Sequence, residues 1–296
     1  MATGKTTTDA LTESIPDIKA EARSVNEYKG VMTQLVEVHR LADNTGLDWT
    51  ELVYDKLTAQ KITEQTINEN YQQFSDSEWS ITPSMSQIAT VVSDRVMRRI
   101  DKKGIAQMGE LAMDAVVRLK DQEGLSALAT ATTDMGSAGS TLTTSVINDS
   151  AVRVRSNATE PFDGPVYAVF HGYQLNDIWN EITAGIGTYV IPEGVTARVL
   201  KEGPDGVTVN KVQIYVDDNI TIDGSDDAVG GVFAKRALVL VEGLTPKTEV
   251  VRRAEIGGGS NVVYITAEWA YGERLGANTT GVGMYAVTSD ATAPGS

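Results

Sequence analysis

The sequence predicts a mixed α+β fold, and three observations carry that expectation. A long two-faced helix is expected over 105–129. Ile105, Met108, Ala112, Ala115, Val116 and Leu119 share one side, while Gln107, Glu110, Asp114, Arg118 and Asp121 share the other. Shortly before it, residues 79–86 read Trp-Ser-Ile-Thr-Pro-Ser-Met-Ser. Apolar and hydroxyl residues alternate strictly there, as in a strand with one covered and one wet face. Beyond Pro165, short apolar runs are separated by turn residues, which is the pattern of a sheet.

Taken in chain order, residues 1–20 are Thr-rich and weakly patterned, and read as an arm. Val31, Leu35, Val38 and Leu41 recur at helical spacing, so a helix is expected over 25–41, ended by Asn44-Thr-Gly46. A strand is expected over 47–57, with Leu47, Trp49, Leu52, Val53 and Tyr54 as its bulky members. The polar stretch 58–77 then separates it from a strand over 79–91, so the two form a long hairpin-like excursion. Pro83 lacks an N–H to donate, which places that second strand at a sheet edge. An isolated two-stranded ribbon is marginal in water, so something must cover its apolar face.

Ser93-Asp94 is a natural N-cap for a short helix through Ile100, with Gly104 separating it from the long helix of about 37 Å. Residues 130–145 are rich in Thr, Ser and Gly and read as a loop. Further strands are expected at 166–170, 195–200, 211–216, 232–241, 248–256 and 262–271, with a helix at 175–182. Gly257-Gly-Gly-Ser260 has the composition of a hairpin turn joining the last two strands.

Composition removes several kinds of chemistry. The 296 residues contain no cysteine, which excludes disulfides, thiolate nucleophiles and Cys-type metal centres. The first residues lack the apolar core of a signal peptide, and no apolar run approaches the roughly 20 residues of a membrane span. Twenty-five basic against 40 acidic residues give a net charge of −15, which repels phosphate backbones and argues against a direct grip on nucleic acid. The one basic cluster, Arg98, Arg99, Lys102 and Lys103, is interleaved with Asp94 and Asp101 and has no aromatic partners.

No motif supplies a catalytic, cofactor-binding or metal site. The two histidines, His39 and His171, have no paired spacing. Gly4-Lys5-Thr6 imitates the end of a phosphate-binding loop, but no strand or first glycine precedes it. In the acidic stretch 217–227, an EF-hand frame puts Asn219, Thr221 and Asp223 at positions one, three and five. Its twelfth position is then Gly230, where a bidentate Glu is required. A solvated acidic turn remains the ordinary reading, with a looser cation site between subunits as its alternative.

The order of these segments resembles the tailed-bacteriophage major capsid proteins of the Hong Kong 97-type fold. The likeness spans nearly the whole chain. It rests on TAQKITEQT (58–66), WSITPSMSQIATVVSD (79–94) and IAQMGELAMDAVVRLKDQEGLSALATAT (105–132). VYAVFHGYQLNDIW (166–179), AKRALVLVEG (234–243) and TEVVRRAEIGGGSNVVYITAEWAYGERLG (248–276) continue it. Each segment is degenerate, and their order and spacing carry the resemblance.

The resemblance implies an N-terminal arm over 1–45 and an extended loop over 46–91 that lies across a neighbouring subunit. It implies a peripheral domain built from 92–159 and 245–296 around the long helix, and an axial domain over 160–244. The implied function is self-assembly, through pentamers and hexamers, into an icosahedral head shell around packaged double-stranded DNA. The implied location is the virion, after assembly in the host cytoplasm. No long helical extension precedes the arm, so a separate scaffolding protein is the expected partner, beside a portal and decoration proteins. Lys56 and Lys61 lie in the loop, but cross-linking cannot be assigned to them.

Trp49, Trp79, Ile81 and Met85 are the expected apolar anchors of the reaching loop, with Asp94, Arg98 and Arg99 joining it to the long helix by charge pairs. An encapsulin-like compartment, which shares this fold and encloses cargo enzymes, is the alternative. A hydrolase using His171 on a β-rich domain is a weaker one. A sugar-binding β-domain would leave the long helix without a purpose.

Overall fold

Two sheets and a projecting ribbon are organised around one long helix in the computed structural model. It describes residues 30–42, 46–64, 71–99, 102–157, 161–184, 208–256, 258–274 and 283–295. The chain enters through a single helical turn, α1 (Met32–Leu35), and a short strand, β1 (Glu37–Arg40). Strands β2 (Trp49–Tyr54) and β3 (Asp76–Ile81) form the ribbon. Strand β4 (Ser84–Ser93) leads into α2 (Asp94–Arg99) and then into the long helix α3 (Lys102–Ala129). With 28 residues, α3 is about 42 Å long.

The first sheet has the order β1-β9-β10-β4, with β9 (Leu238–Arg253) and β10 (Ser260–Glu273) as a long antiparallel hairpin. That hairpin turns through Gly258 and Gly259, both at positive φ. The second sheet has the order β11-β8-β5-β7-β6. It comprises β5 (Val166–Phe170), β6 (Thr208–Val209), β7 (Val212–Val216), β8 (Asp227–Ala234) and β11 (Met284–Asp290). Helices α4 (Thr144–Arg155) and α5 (Gly172–Ala184) complete this half. Strand β5 sits centrally, parallel to β7 and antiparallel to β8, so it reads as an unbroken apolar run rather than an alternation.

Helix α3 contacts both sheets, and one continuous core spans them. Leu125 and Leu128 on α3 pack in a cluster that contains Phe170 and Phe233 of the second sheet and Ile265 and Trp269 of the first. Trp269 is almost fully buried, and its Nε1–H donates to Glu123 Oε2 of α3 at 2.6 Å. Gln174 on α5 is likewise buried. Its Nε2 donates to Ala228 O at 2.8 Å and to Ser289 Oγ at 2.7 Å, tying α5 to β8 and β11.

Several sequence expectations are corrected. The helix expected over 25–41 is only the four residues of α1, with 25–29 outside the described residues. Residues 37–40 instead pair in parallel with Val239–Glu242, leaving Val38 44% exposed rather than on a covered helical face. Asp121, expected on the polar side of the long helix, is buried, and Leu119, expected on the apolar side, is exposed. The buried stripe runs through Val116, Asp121, Gly124, Leu125 and Leu128, because the two sheets meet the helix on that flank. Gly104 lies inside α3 rather than before it.

The expected strand 232–241 is two strands in different sheets, separated by the turn at Lys235–Ala237. Helix α4 begins where a loop was expected to end, burying Ile147, Ala151 and Val154 at helical spacing. Residues 245–296 divide between the sheets, since Met284–Asp290 pairs with β8. The strand expected at 195–200 lies outside the described residues.

Candidate functional site

The ribbon leaves the body of the molecule at a root that the first sheet grips tightly. Trp49 pairs with Ile81 at the base of the β2–β3 ladder, and Tyr54 with Asp76 at its far end. Ile81 is buried against Val239 and Val241, with Leu41, Trp49, Trp79 and Ala270 packed around them. Glycine at 272 makes this insertion possible, since a Cβ there would lie 2.5 Å from Ile81 Cδ1. Trp49 meets Trp79 edge-on at 5.6 Å, and His39 of β1 stacks on Trp49 at 4.5 Å.

Charge completes the root. Arg274, just past β10, is 6% exposed. Its Nε donates to Glu51 Oε2 of β2 at 2.9 Å and its Nη1 to Glu37 Oε2 of β1 at 2.8 Å. The same Nη1 donates to Arg236 O at 3.1 Å. Burial pushes the Glu37 carboxyl up, but the Arg274 hydrogen bond and charge, with His39 beside it, outweigh burial and hold it below the usual carboxylate range. One guanidinium therefore joins three segments that are distant in sequence, and so fixes the direction in which the ribbon projects.

Beyond the root the apolar side chains lose their cover. Leu52, Tyr54, Leu57, Ile62, Tyr71 and Phe74 are all more than half exposed. Tyr54 and Phe74 stack on each other at 4.9 Å, and Asp55 N–H donates to Ser75 O at 3.1 Å. Past that bond the described residues form no ladder, and the loop is held by local bonds such as Thr58 N–H to Gln72 Oε1 at 2.7 Å. A run of exposed apolar groups on a thin ribbon marks a surface made to be covered.

The continuous strand expected over 79–91 is interrupted at Thr82-Pro83, where the chain leaves β3 and enters β4. The interruption shifts the alternation by one residue. Met85 is consequently 70% exposed, while Ser86 and Ile88 take the half-buried positions. Trp49, Trp79 and Ile81 meet the chain's own sheet, so the cover expected from outside is supplied there by β9 and β10. Ile62, Tyr71 and Phe74, exposed farther out, are not among the expected anchors, and their isolation in a polar stretch is the sequence signal that marks them.

The junction with the long helix is also differently wired. Ser93 Oγ accepts from Val96 N–H at 3.3 Å, which caps α2 as expected. Asp94 pairs not with Arg98 or Arg99 but with Arg252 of β9, at 2.9 Å, and its N–H donates to Gly259 O. The start of α2 is thereby tied to the tip of the β9–β10 hairpin. Arg98 and Arg99 are exposed and have no ion-pair partner among the described residues.

The remaining candidate chemistry resolves into structural roles. Asp223 Oδ1 accepts from the N–H groups of Ser225 and Asp227, and Asp227 Oδ1 from Gly139 N–H, so the acidic turn uses carboxylates to satisfy backbone donors. No metal-ligating cluster occurs among the described residues. His171 is buried, its Nδ1 accepts from Tyr173 N–H at 3.1 Å, and Asp218 lies 3.8 Å from Nε2. Burial lowers its pKa, with Asp218 pulling the other way.

With this geometry in view, the chain is similar to solved structures of phage heads. The head structure of Helicobacter pylori bacteriophage KHP40 matches with a TM-score of 0.69 and 11% identity, over 92% of this chain and 94% of that one. The capsid of cyanophage Pam1 matches with a TM-score of 0.68 and 11% identity, covering 92% and 95%. That of Ralstonia phage GP4 gives 0.65 and 13%, covering 95% and 98%. No protein-family model and no curated protein sequence matches. The chain thus has the fold of tailed-phage capsid subunits, the Hong Kong 97-type architecture expected from the order of its segments.

Proposed function

We propose that this chain is the major capsid protein of a tailed bacteriophage, many copies of which close into an icosahedral head around double-stranded DNA. The observation that carries the reading is the near end-to-end likeness to capsid subunits, more than nine-tenths of both chains in the three matches above. The exposed ribbon supports it independently, because its apolar side chains find little cover among the described residues. In this reading residues 46–91 carry the extended loop, and residues past its root, with Met85, lie against the next copy. Helix α3 is the spine, β1, β4, β9 and β10 are the peripheral sheet, and the sheet around β5 faces the symmetry axes of pentamers and hexamers. The acidic chain keeps packaged DNA from adhering to the wall. A scaffolding protein, a portal and decoration proteins are the partners such a shell would use, and the virion is its location.

The test is to remove the outer ribbon without touching its root. Excising 56–74 joins Asp55 to Ser75, whose backbones already hydrogen bond. The shortened subunit should fold with unchanged circular dichroism yet form no closed particles by electron microscopy. Normal particles would refute the interlocking role. Double-stranded DNA inside particles from a native source separates a phage head from a cargo-filled compartment.

A further inference from the structure

Residues 30–40 form a strap that runs between the two sheets, and two buried acids hold its entry. Asp121 on α3 is 1% exposed and Asp217, just beyond β7, is fully buried. Val31 N–H donates to Asp217 Oδ2 at 3.0 Å, and Met32 N–H to Asp121 Oδ1 at 3.0 Å. Asn219 closes the seat from the other side. Its N–H donates to Asp217 Oδ1 at 3.0 Å and its Nδ2 to Asp121 Oδ2 at 2.9 Å. Gly30 rests so closely on Asp121 that a Cβ would lie 1.7 Å from the carboxyl carbon. Met32, Leu35 and Val36 then enter the core.

The two carboxyls meet at Asn219, and two buried acids with no cation paired to them among the described residues are better accommodated with one proton on the pair than as two negative charges. Burial raises the Asp217 pKa most; the Val31 N–H draws it down, the Asp121 charge raises it and the Asn219 N–H lowers it, and the balance stands at about 7. The surroundings offer little compensation. Tyr271 on β10 has its hydroxyl buried without a hydrogen-bond partner among the described residues, and burial, then the charges of Asp121, Glu123, Glu242 and Asp217, push its pKa up. Lys120 of α3 is engaged with Glu242 of β9. Asp218, the next residue, accepts from Gly172 N–H and lies near His171 of the β5–α5 turn. Among the described residues no lysine or arginine is paired with either acid of the seat.

We propose that the Asp121–Asp217–Asn219 cluster is a proton-operated latch for the strap: one proton held by the buried acid pair seats residues 30–36, and its removal loosens them. The strap continues directly into β1, whose Glu37 shares Arg274 with Glu51 of the ribbon. The latch therefore acts on the root of the projecting ribbon through a contiguous chain of contacts. It stands on geometry within one subunit and does not depend on the function proposed above.

A raised carboxyl pKa means that the seated strap holds a proton which the released strap gives up. Opening then becomes easier as pH rises from the ordinary carboxyl range to about 7, and levels off above it. Hydrogen exchange of the full chain, read by mass spectrometry in peptides covering 30–40 and corrected for the intrinsic pH dependence, tests this between pH 5 and pH 8. Protection of 30–36 should fall at least tenfold more than that of the β5 peptide. In Asp217→Asn the fall should vanish. Asp121→Asn, which removes one charge of the pair but leaves Asp217 buried, should reduce the fall and serves where the first variant folds poorly. Equal falls in the strap and β5, or a wild-type slope retained in a folded Asn variant, would overturn the latch.

Discussion

Replacing Arg274 with methionine keeps most of the stem's volume and removes the charge that holds the ribbon root together. The guanidinium is 6% exposed, whereas the Glu51 and Glu37 side chains it bonds are 26% and 31% exposed. Removing one partner of a fully buried pair costs about 3–5 kcal/mol, because the other charge is stranded. Here both carboxylates retain contact with water, so part of that penalty is recovered and a loss of about 2 kcal/mol is expected. Urea unfolding of unassembled subunits reads the loss, and a cycle with Glu51→Gln isolates the pair. The double variant should fall short of the summed single losses by about 1 kcal/mol, since the sites share a partner. Electron microscopy should show few closed particles, because the ribbon no longer projects in one direction. Stability within about 0.5 kcal/mol of wild type, the range of an ordinary surface change, together with normal particles would refute the role given to Arg274.

Further outcomes follow from the same contacts. Glu37 is held below the usual carboxylate range, so its contribution is present above the unfolded pKa and is lost as pH falls through the folded one. Proteolysis within 56–74 should accordingly accelerate below about pH 4, and Arg274→Met should already be fast at neutral pH. Gly30→Ala places a methyl inside Asp121 and should expel the strap entry, giving exchange in 30–36 that is rapid at every pH. Tyr54→Ser with Phe74→Ser removes an exposed stack and should change subunit stability by less than about 1 kcal/mol while preventing particle closure. Unchanged closure would show that this part of the ribbon meets no neighbour.

Much of the fold was legible because its strongest elements obey local rules. The run Val166–Phe170 is apolar throughout, and it is the central strand at those residues. The long helix, β2 and the Ser93 cap were equally readable from periodicity and capping chemistry. What escaped depends on contacts between distant segments. Asp121 has the spacing of a solvent-facing residue, and the backbone donor of Met32 and the Asn219 amide make its burial tolerable. Glu37–Arg40 is too short to show a period, and becomes a strand because β9 offers it an edge. Met85 continues an apparently perfect alternation, but Pro83 breaks the ladder and reverses the phase. At the candidate site the ribbon was visible in the sequence. Its staple, Arg274, was not, since its carboxylate partners lie more than 200 residues away.

The most direct measurement is a cryo-electron microscopy reconstruction of particles formed by the full chain. Closed icosahedral shells are expected, in which the β2–β3 ribbon of each copy lies over the next and buries Tyr54, Tyr71 and Phe74. A chain that stays monomeric under all assembly conditions, or shells in which those side chains remain exposed, would contradict this expectation.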